Sequence, residues 1–185
     1  MKRTFFAVAL GAVLTVGGCS GEASPPTVKP VALSETARGH YCGMVLREHP
    51  GPKGQIILAN SSEPVWFSSV RDTVAFTMLP EEPKNIAAVY VSDMAAAQSW
   101  EEPGVENWID AKRAFFVIGS AMRGGMGAEE AVPFSTDSAA NDFVLQYGGV
   151  VVGFPDIPRD YVLGSAATDQ ISGAETMLHV GGMSH

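Results

Sequence analysis

Cysteine is scarce in this chain: two residues in 185, Cys19 and Cys42. So few thiols exclude a disulfide-stapled scaffold, and without a CxxC there is no thioredoxin-like redox pair or four-cysteine zinc site. Basic residues are also few. Lys and Arg number 12 against 20 Asp and Glu, a formal net charge of -8, with no basic cluster to meet a phosphate backbone. Nucleic acid is therefore excluded as a partner. The apolar run near the N-terminus falls short of the roughly 20 residues that a membrane-spanning helix needs. Signatures of catalysis are missing too: there is no GxSxG, HExxH or phosphate loop, and no pair of carboxylates at a telling spacing. His40 stands two residues from Cys42, but no third group is evident to orient it as a base. The chain reads as a non-enzyme. What is present is globular composition, 46% hydrophobic and 17% charged with 20 Gly and 12 Pro. That suits one ordinary domain or two very small ones.

Residues 1–18 read as an address. Lys2 and Arg3 precede an apolar stretch from Phe5 to Val16, which ends in Gly17-Gly18 directly before Cys19. A positive start, a short apolar core and small residues ahead of the cleavage point form a secretory signal. Val16-Gly17-Gly18-Cys19 resembles the bacterial lipobox, in which the cysteine is lipidated and becomes the new N-terminus. Cleavage would remove two of the 12 basic residues and leave 10 against 20 acidic, a charge of -10. Acyl chains on Cys19 would anchor the protein to a membrane while its domain stays in water. Residues 19–35 follow as a lipidated start and a flexible tether rich in Ser, Pro and Gly. Ser20, where an inner-membrane retention signal would place Asp, favours anchoring to the outer membrane, facing the periplasm.

Lipidation of Cys19 leaves Cys42 without a partner in an oxidising compartment. Three explanations are open: an inert buried thiol, a bond to another molecule, or a soft metal. His40-Tyr41-Cys42-Gly43-Met44 places a thiol and a thioether two residues apart, with a glycine between them that permits a turn. Both sulfurs suit Cu(I).

An internal repeat organises the rest. Val65-Trp66-Phe67-Ser68 and Val132-Pro133-Phe134-Ser135 align at an offset of 67 residues, which also aligns Phe76 with Phe143. In each copy a short strand ends at Ser, where a hydroxyl caps a helix, and Asp72 or Asp137 favours the helix start. Val70, Val74 and Met78 form one apolar stripe; Ala140, Phe143, Val144 and Tyr147 form the other. Pro80 stops the first helix and Gly148-Gly149 the second. Strands are expected over 55–58, 86–92, 113–119 and 150–154. The fold expected is α+β: two strand–strand–helix–strand units, about 40–95 and 107–160, packed as a pseudo-symmetric pair because neither can bury a core alone.

Ahead of the second repeat lies Ser120-Ala121-Met122-Arg123-Gly124-Gly125-Met126-Gly127. Three glycines in eight residues make a loop. Two methionines there have two open readings: thioether ligands presented to solvent, or Met126 tucked into the core with Met122 incidental. A second sulfur- and imidazole-bearing segment, Met177, His179, Met183 and His185, falls within the tail 166–185; two readings are open, an auxiliary copper site and a bland tail. The remaining features take structural readings. Trp66, Trp100 and Trp108 are packing residues or lids, Met78 and Met94 belong to the core, and His49 is a turn residue. The acidic pairs Glu101-Glu102 and Glu129-Glu130 are solvated faces.

The lipobox, Cys42-Gly43-Met44, Met126-Gly127, Val132-Pro133-Phe134-Ser135 and the segment from Phe143 to Phe154 come in an order that resembles the NosL family. These are copper-binding lipoproteins accessory to nitrous oxide reductase assembly. The resemblance covers roughly residues 36–160 of an expected domain 36–165. Where the family loop commonly carries Pro, this chain has Gly125. The resemblance implies a fold of two repeated units and periplasmic carriage of Cu(I). It implies the ligands Cys42, Met44 and Met126. His40, Met122, Met177, His179, Met183 and His185 are auxiliary candidates on their residue types and positions alone. The resemblance also implies delivery for the copper-sulfide centre of nitrous oxide reductase, through a membrane complex of a transporter and a periplasmic adaptor. A general periplasmic copper buffer and a lipoprotein that binds only protein partners are the alternatives.

Overall fold

The structure, a computed structural model, describes residues 28–164; Cys19, Met177, His179, Met183 and His185 lie outside them. Two antiparallel sheets and three helices make an α+β domain. The first sheet contains β1 (Gly54–Leu58), β2 (Val65–Phe67), β3 (Ile86–Ser92) and β4 (Trp108–Asp110), in the order β2-β1-β3-β4. The second contains β5 (Phe115–Ile118), β6 (Val132–Phe134) and β7 (Val150–Gly153), in the order β6-β5-β7. Helix α1 (Val70–Met78) lies between β2 and β3, and α2 (Asp137–Tyr147) between β6 and β7; α3 (Arg159–Leu163) ends the described chain. Each unit thus places its first strand centrally, its second on one side and, after a helix, its third on the other. The shared strand order is what a sequence repeat of this kind encodes.

The caps refine the register. The helices are capped one residue later than Ser68 and Ser135. Ser69 Oγ accepts from Asp72 N at 3.0 Å, and Thr136 Oγ1 from Ala139 N at 3.3 Å. Both caps move together, so the offset of 67 survives. A hydroxyl at the first non-helical residue reaches the free N–H groups of the first turn. At the far end of α2, Gly148 takes φ +72° and ψ -169°, a positive-φ extended conformation open essentially to glycine alone.

Two of the strand boundaries that differ from the sequence reading have a local cause. Ala111–Arg113 forms a 3-10 turn, with Asp110 Oδ1 accepting from Lys112 N at 2.9 Å, so β5 begins only at Phe115. Phe154–Asp156 forms another such turn containing Pro155, so β7 stops at Gly153. β4 departs from the simple repeat. It belongs to the second unit by position, yet it pairs with β3 through Val91 opposite Ile109 and Ser92 opposite Trp108. The second unit therefore contributes an edge strand to the first sheet.

The units share one core. Ile56, Phe67, Val74, Phe76 and Val91 of the first pack with Phe116, Ile118 and Ile157 of the second. Val117 faces the other way, joining Val132, Phe134 and Ala140 under α2. Successive side chains on a strand point to opposite faces. Both faces of β5 are covered, which explains its unbroken apolar run Phe-Phe-Val-Ile. Met78 packs against the larger cluster and Met94 against the smaller, as expected of core methionines.

Candidate metal centre

Cys42 and Met44 belong to one tight turn. Arg38 bridges Val45, Gly39 N donates to Met44 O at 3.0 Å, and Gly43 N donates to Gly39 O at 2.8 Å. Gly43 has φ +66°, which any side chain would strain. Gly39 is required for a different reason: a Cβ there would lie 2.5 Å from Cys42 Sγ. The turn is tied to the first sheet through His40 N, which donates to Trp66 O at 2.7 Å. Cys42 is half-buried, and its sulfur lies 3.5 Å from the hydroxyl of buried Ser68. Shifting the helix cap to Ser69 leaves the Ser68 hydroxyl free to face the thiol.

Met126 projects from a second closed turn. Arg123 bridges Glu129, with Arg123 Nη1 3.7 Å from Glu129 Oε1. Gly124 N donates to Ala128 O at 2.9 Å, and Gly127 N to Gly124 O at 2.8 Å. Gly125 and Met126 are the central residues of that last turn, and Met126 is 53% exposed. The expected Gly-rich loop is therefore a hydrogen-bonded tip carrying a thioether outward. Packing takes over the restraint that a proline would supply. A Cβ on Gly125 would approach His49 Cβ at 2.7 Å and Pro50 O at 2.9 Å.

The two turns are neighbours. Ser68 and Leu46 stand beside Cys42 at Gly39, while a Cβ on Gly124 would lie 3.7 Å from Ser69 Cβ. Ser68-Ser69 thus touches both sulfur-bearing segments. So does the stretch from Leu46 to His49, a 3-10 turn (Leu46–Glu48) with its C-terminal residue. Met122 is half-buried in the same loop as Met126. The His40 ring is directed elsewhere. Its Nε2 lies 3.4 Å from Glu82 Oε1, and its faces and edges meet Tyr41, Phe67 and Phe76. Tyr41 also donates to Glu82 at 2.9 Å, and burial together with that carboxylate pushes its hydroxyl well above the usual range. Among the described residues, no three His, Cys, Asp or Glu side chains form a cluster; methionine thioethers are outside that donor set. A cavity of about 380 Å³ lies beyond Leu46 and is lined by His49, Lys53 and Glu101; none of the three sulfur residues lines it.

One acidic residue is placed very differently from expectation. Glu101, Glu102 and Glu129 are solvent-exposed, but Glu130 is buried, with 1% exposure. Its Oε1 accepts from Arg71 N and Ala131 N, both at 2.9 Å. Its Oε2 has no partner among the described residues. Burial pushes its carboxyl up to about 8, against the opposing pull of those two N–H donors. Nearby Lys53, 3% exposed, is lowered to about 8 by the same loss of water, while Glu130 acts in the opposite direction. Alternation along the strand carries no warning of this, because every residue from Glu130 to Phe134 is buried.

A family model described as NosL matches residues 30–162, nearly the whole described domain. The chain belongs to the NosL family. A copper-binding lipoprotein NosL from Achromobacter cycloclastes is 46% identical over 162 residues, 87% of this chain and 83% of that protein. A protein of the same name from Stutzerimonas stutzeri is 33% identical, over 92% of this chain and 86% of its own length. The crystal structure of the copper chaperone NosL from Shewanella denitrificans superposes with a TM-score of 0.67 at 37% identity, covering 73% of this chain and 98% of that one. The NosL match spans both sulfur-bearing turns and both repeat units, so both lie within the family's domain.

Proposed function

We propose that this protein is a lipid-anchored Cu(I) carrier of the periplasm, holding the ion on Cys42, Met44 and Met126 for delivery to nitrous oxide reductase assembly. The observation that carries the proposal is that two closed turns, one bearing a half-buried thiol and the other an exposed thioether, meet the adjacent residues Ser68 and Ser69. Membership of a family whose relatives are named copper-binding lipoproteins supports the same reading, as does the lipobox at Cys19. The chemistry is that of a soft cation on soft donors. One thiolate neutralises one Cu(I) ion, and the two thioethers add coordination without adding protons. The exposed tip carrying Met126 is the side from which a client ligand enters; it displaces that thioether before the deeper Cys42 lets go. The Ser68 hydroxyl donates to the thiolate and keeps it oriented during the exchange.

Competitive Cu(I) titration of the full chain tests the ligand set. Cys42→Ser is expected to weaken binding by at least about a hundredfold, which is about 3 kcal/mol. Met126→Leu is expected to weaken it less and to leave stoichiometry at one. A Cys42→Ser variant that binds as the wild type does would overturn the assignment. Delivery is tested separately by the copper content of nitrous oxide reductase from a strain lacking this gene; full loading there would leave the carrier without this client.

A further inference from the structure

The buried carboxyl of Glu130 is not used by the carrier chemistry above, yet it touches the turn that carries Met126 and the helix start next to Ser68-Ser69. Its Oε1 accepts from Arg71 N in the first turn of α1. Its Oε2 is turned toward Gly124, where an added Cβ would come within 2.7 Å of it. Its own carbonyl accepts from Tyr161 OH at 2.8 Å, and Arg71 Nε donates to Val162 O at 2.9 Å. The second unit thus reaches through Glu130 into the helix start of the first, with α3 closing over the join. The residues just ahead of that helix start are Ser68, which faces Cys42, and Ser69, which faces Gly124.

We propose that Glu130 is a positioning residue for copper: its carboxyl seats the Gly124–Gly127 turn against the start of α1 and so presents Met126 beside the Cys42 turn. The inference rests on the reading of Met126 as a ligand. The turn is gripped from two sides, with Glu130 under Gly124, and His49 with Pro50 against Gly125. No side chain larger than hydrogen fits at either glycine without displacing one of these groups. Ser69 already caps α1 through Asp72 N, so the Arg71 N–H is a second orphan donor, met here from a distant point of the chain. Burying a carboxyl is costly, as its upward displacement records. An apolar residue would fill the space, but it would leave Arg71 N unpaired and would lose the link between the two units.

The test is a double-variant cycle on the full chain at pH 7, read by Cu(I) competition. Glu130→Ala is expected to weaken binding about tenfold in the wild-type background and to add nothing in the Met126→Leu background. Glu130→Gln keeps an oxygen acceptor in the same shape and is expected to bind within about twofold of wild type. A residue that merely supports the fold would lower affinity equally with and without Met126; equal losses, or wild-type affinity in Glu130→Ala, would overturn the proposal. If Glu130→Ala fails to fold, Gly124→Ala approaches the same contact from the loop side and is expected to follow the same pattern. Amide exchange across Arg123–Glu129 separates this idea from the ligand reading. If Met126→Leu binds as wild type, the ligand assignment fails. Faster exchange in Glu130→Ala than in Glu130→Gln would still establish the clamp, and equal exchange would remove it.

Discussion

Replacing Glu130 by Gln should change how the stability of this domain depends on pH, and the structure sets both the sign and the size. The carboxyl is pushed from its usual 4.5 to about 8 by burial. Between those values the folded protein holds a proton that the unfolded chain has released. The unfolded state then binds fewer protons, so stability falls as pH rises, beginning near 4.5 and levelling near 8. At about 1.36 kcal/mol per pH unit, the window from 4.5 to about 8 corresponds to a loss of about 5 kcal/mol. This is a large share of the 5–15 kcal/mol typical of a domain. The groups that face the carboxyl are Arg71 N and Ala131 N, with Asp72 raising its affinity for protons and Lys53 lowering it. Lys53 titrates in the folded state near 8, displaced from 10.5. Above pH 8 the unfolded chain holds the lysine proton that the folded state has lost, so stability should recover toward pH 10.5. The Glu130 effect is therefore read below pH 8. Gln cannot ionise. In guanidinium unfolding series from pH 5 to 8, wild type should lose most of that energy relative to Glu130→Gln. Parallel curves for the two proteins would refute the reasoning, because they would mean that no proton is taken up at Glu130 on folding.

Three further predictions address the frame. Gly54→Ala should cost about 1–3 kcal/mol by lifting α1 from β1, since the new Cβ would meet Thr73 Cβ at 2.8 Å; a lowered urea midpoint with an unchanged slope is the expected record. Phe116→Ala, at a fully buried position between the units, should cost about 3–5 kcal/mol, measured as the loss in unfolding free energy. Cys42 in the full apo chain should react readily with a disulfide reagent, and one equivalent of Cu(I) should slow the reaction severalfold. An apo thiol that does not react would argue for an inert sulfur.

Much of the architecture was legible before any coordinates. The offset of 67 residues placed two strand–helix–strand segments. The stripe at Val70, Val74 and Met78 marked α1, and the paired glycines after Tyr147 marked the end of α2. These are local signals, written in the periods of helix and strand and in the chemistry of caps and stops, so neighbouring residues suffice to determine them. The short thiol–glycine–thioether segment and the methionine loop were visible as candidates for the same reason: composition over a few residues carries the softness of the donors.

Tertiary structure alone decided how those segments meet. β4 crossed from the second unit to the edge of the first sheet, because pairing with β3 is a contact between strands rather than a property of Trp108–Asp110. The cap moved by one residue in both helices, and that single step turned the Ser68 hydroxyl toward Cys42. Glu129 and Glu130 are identical in type and adjacent, yet one is solvated and the other sealed against a helix start 59 residues away. Nothing in a local window can separate them. Burial is imposed by what the rest of the chain places around a residue, and here the surroundings are α1, the Gly124 backbone and α3.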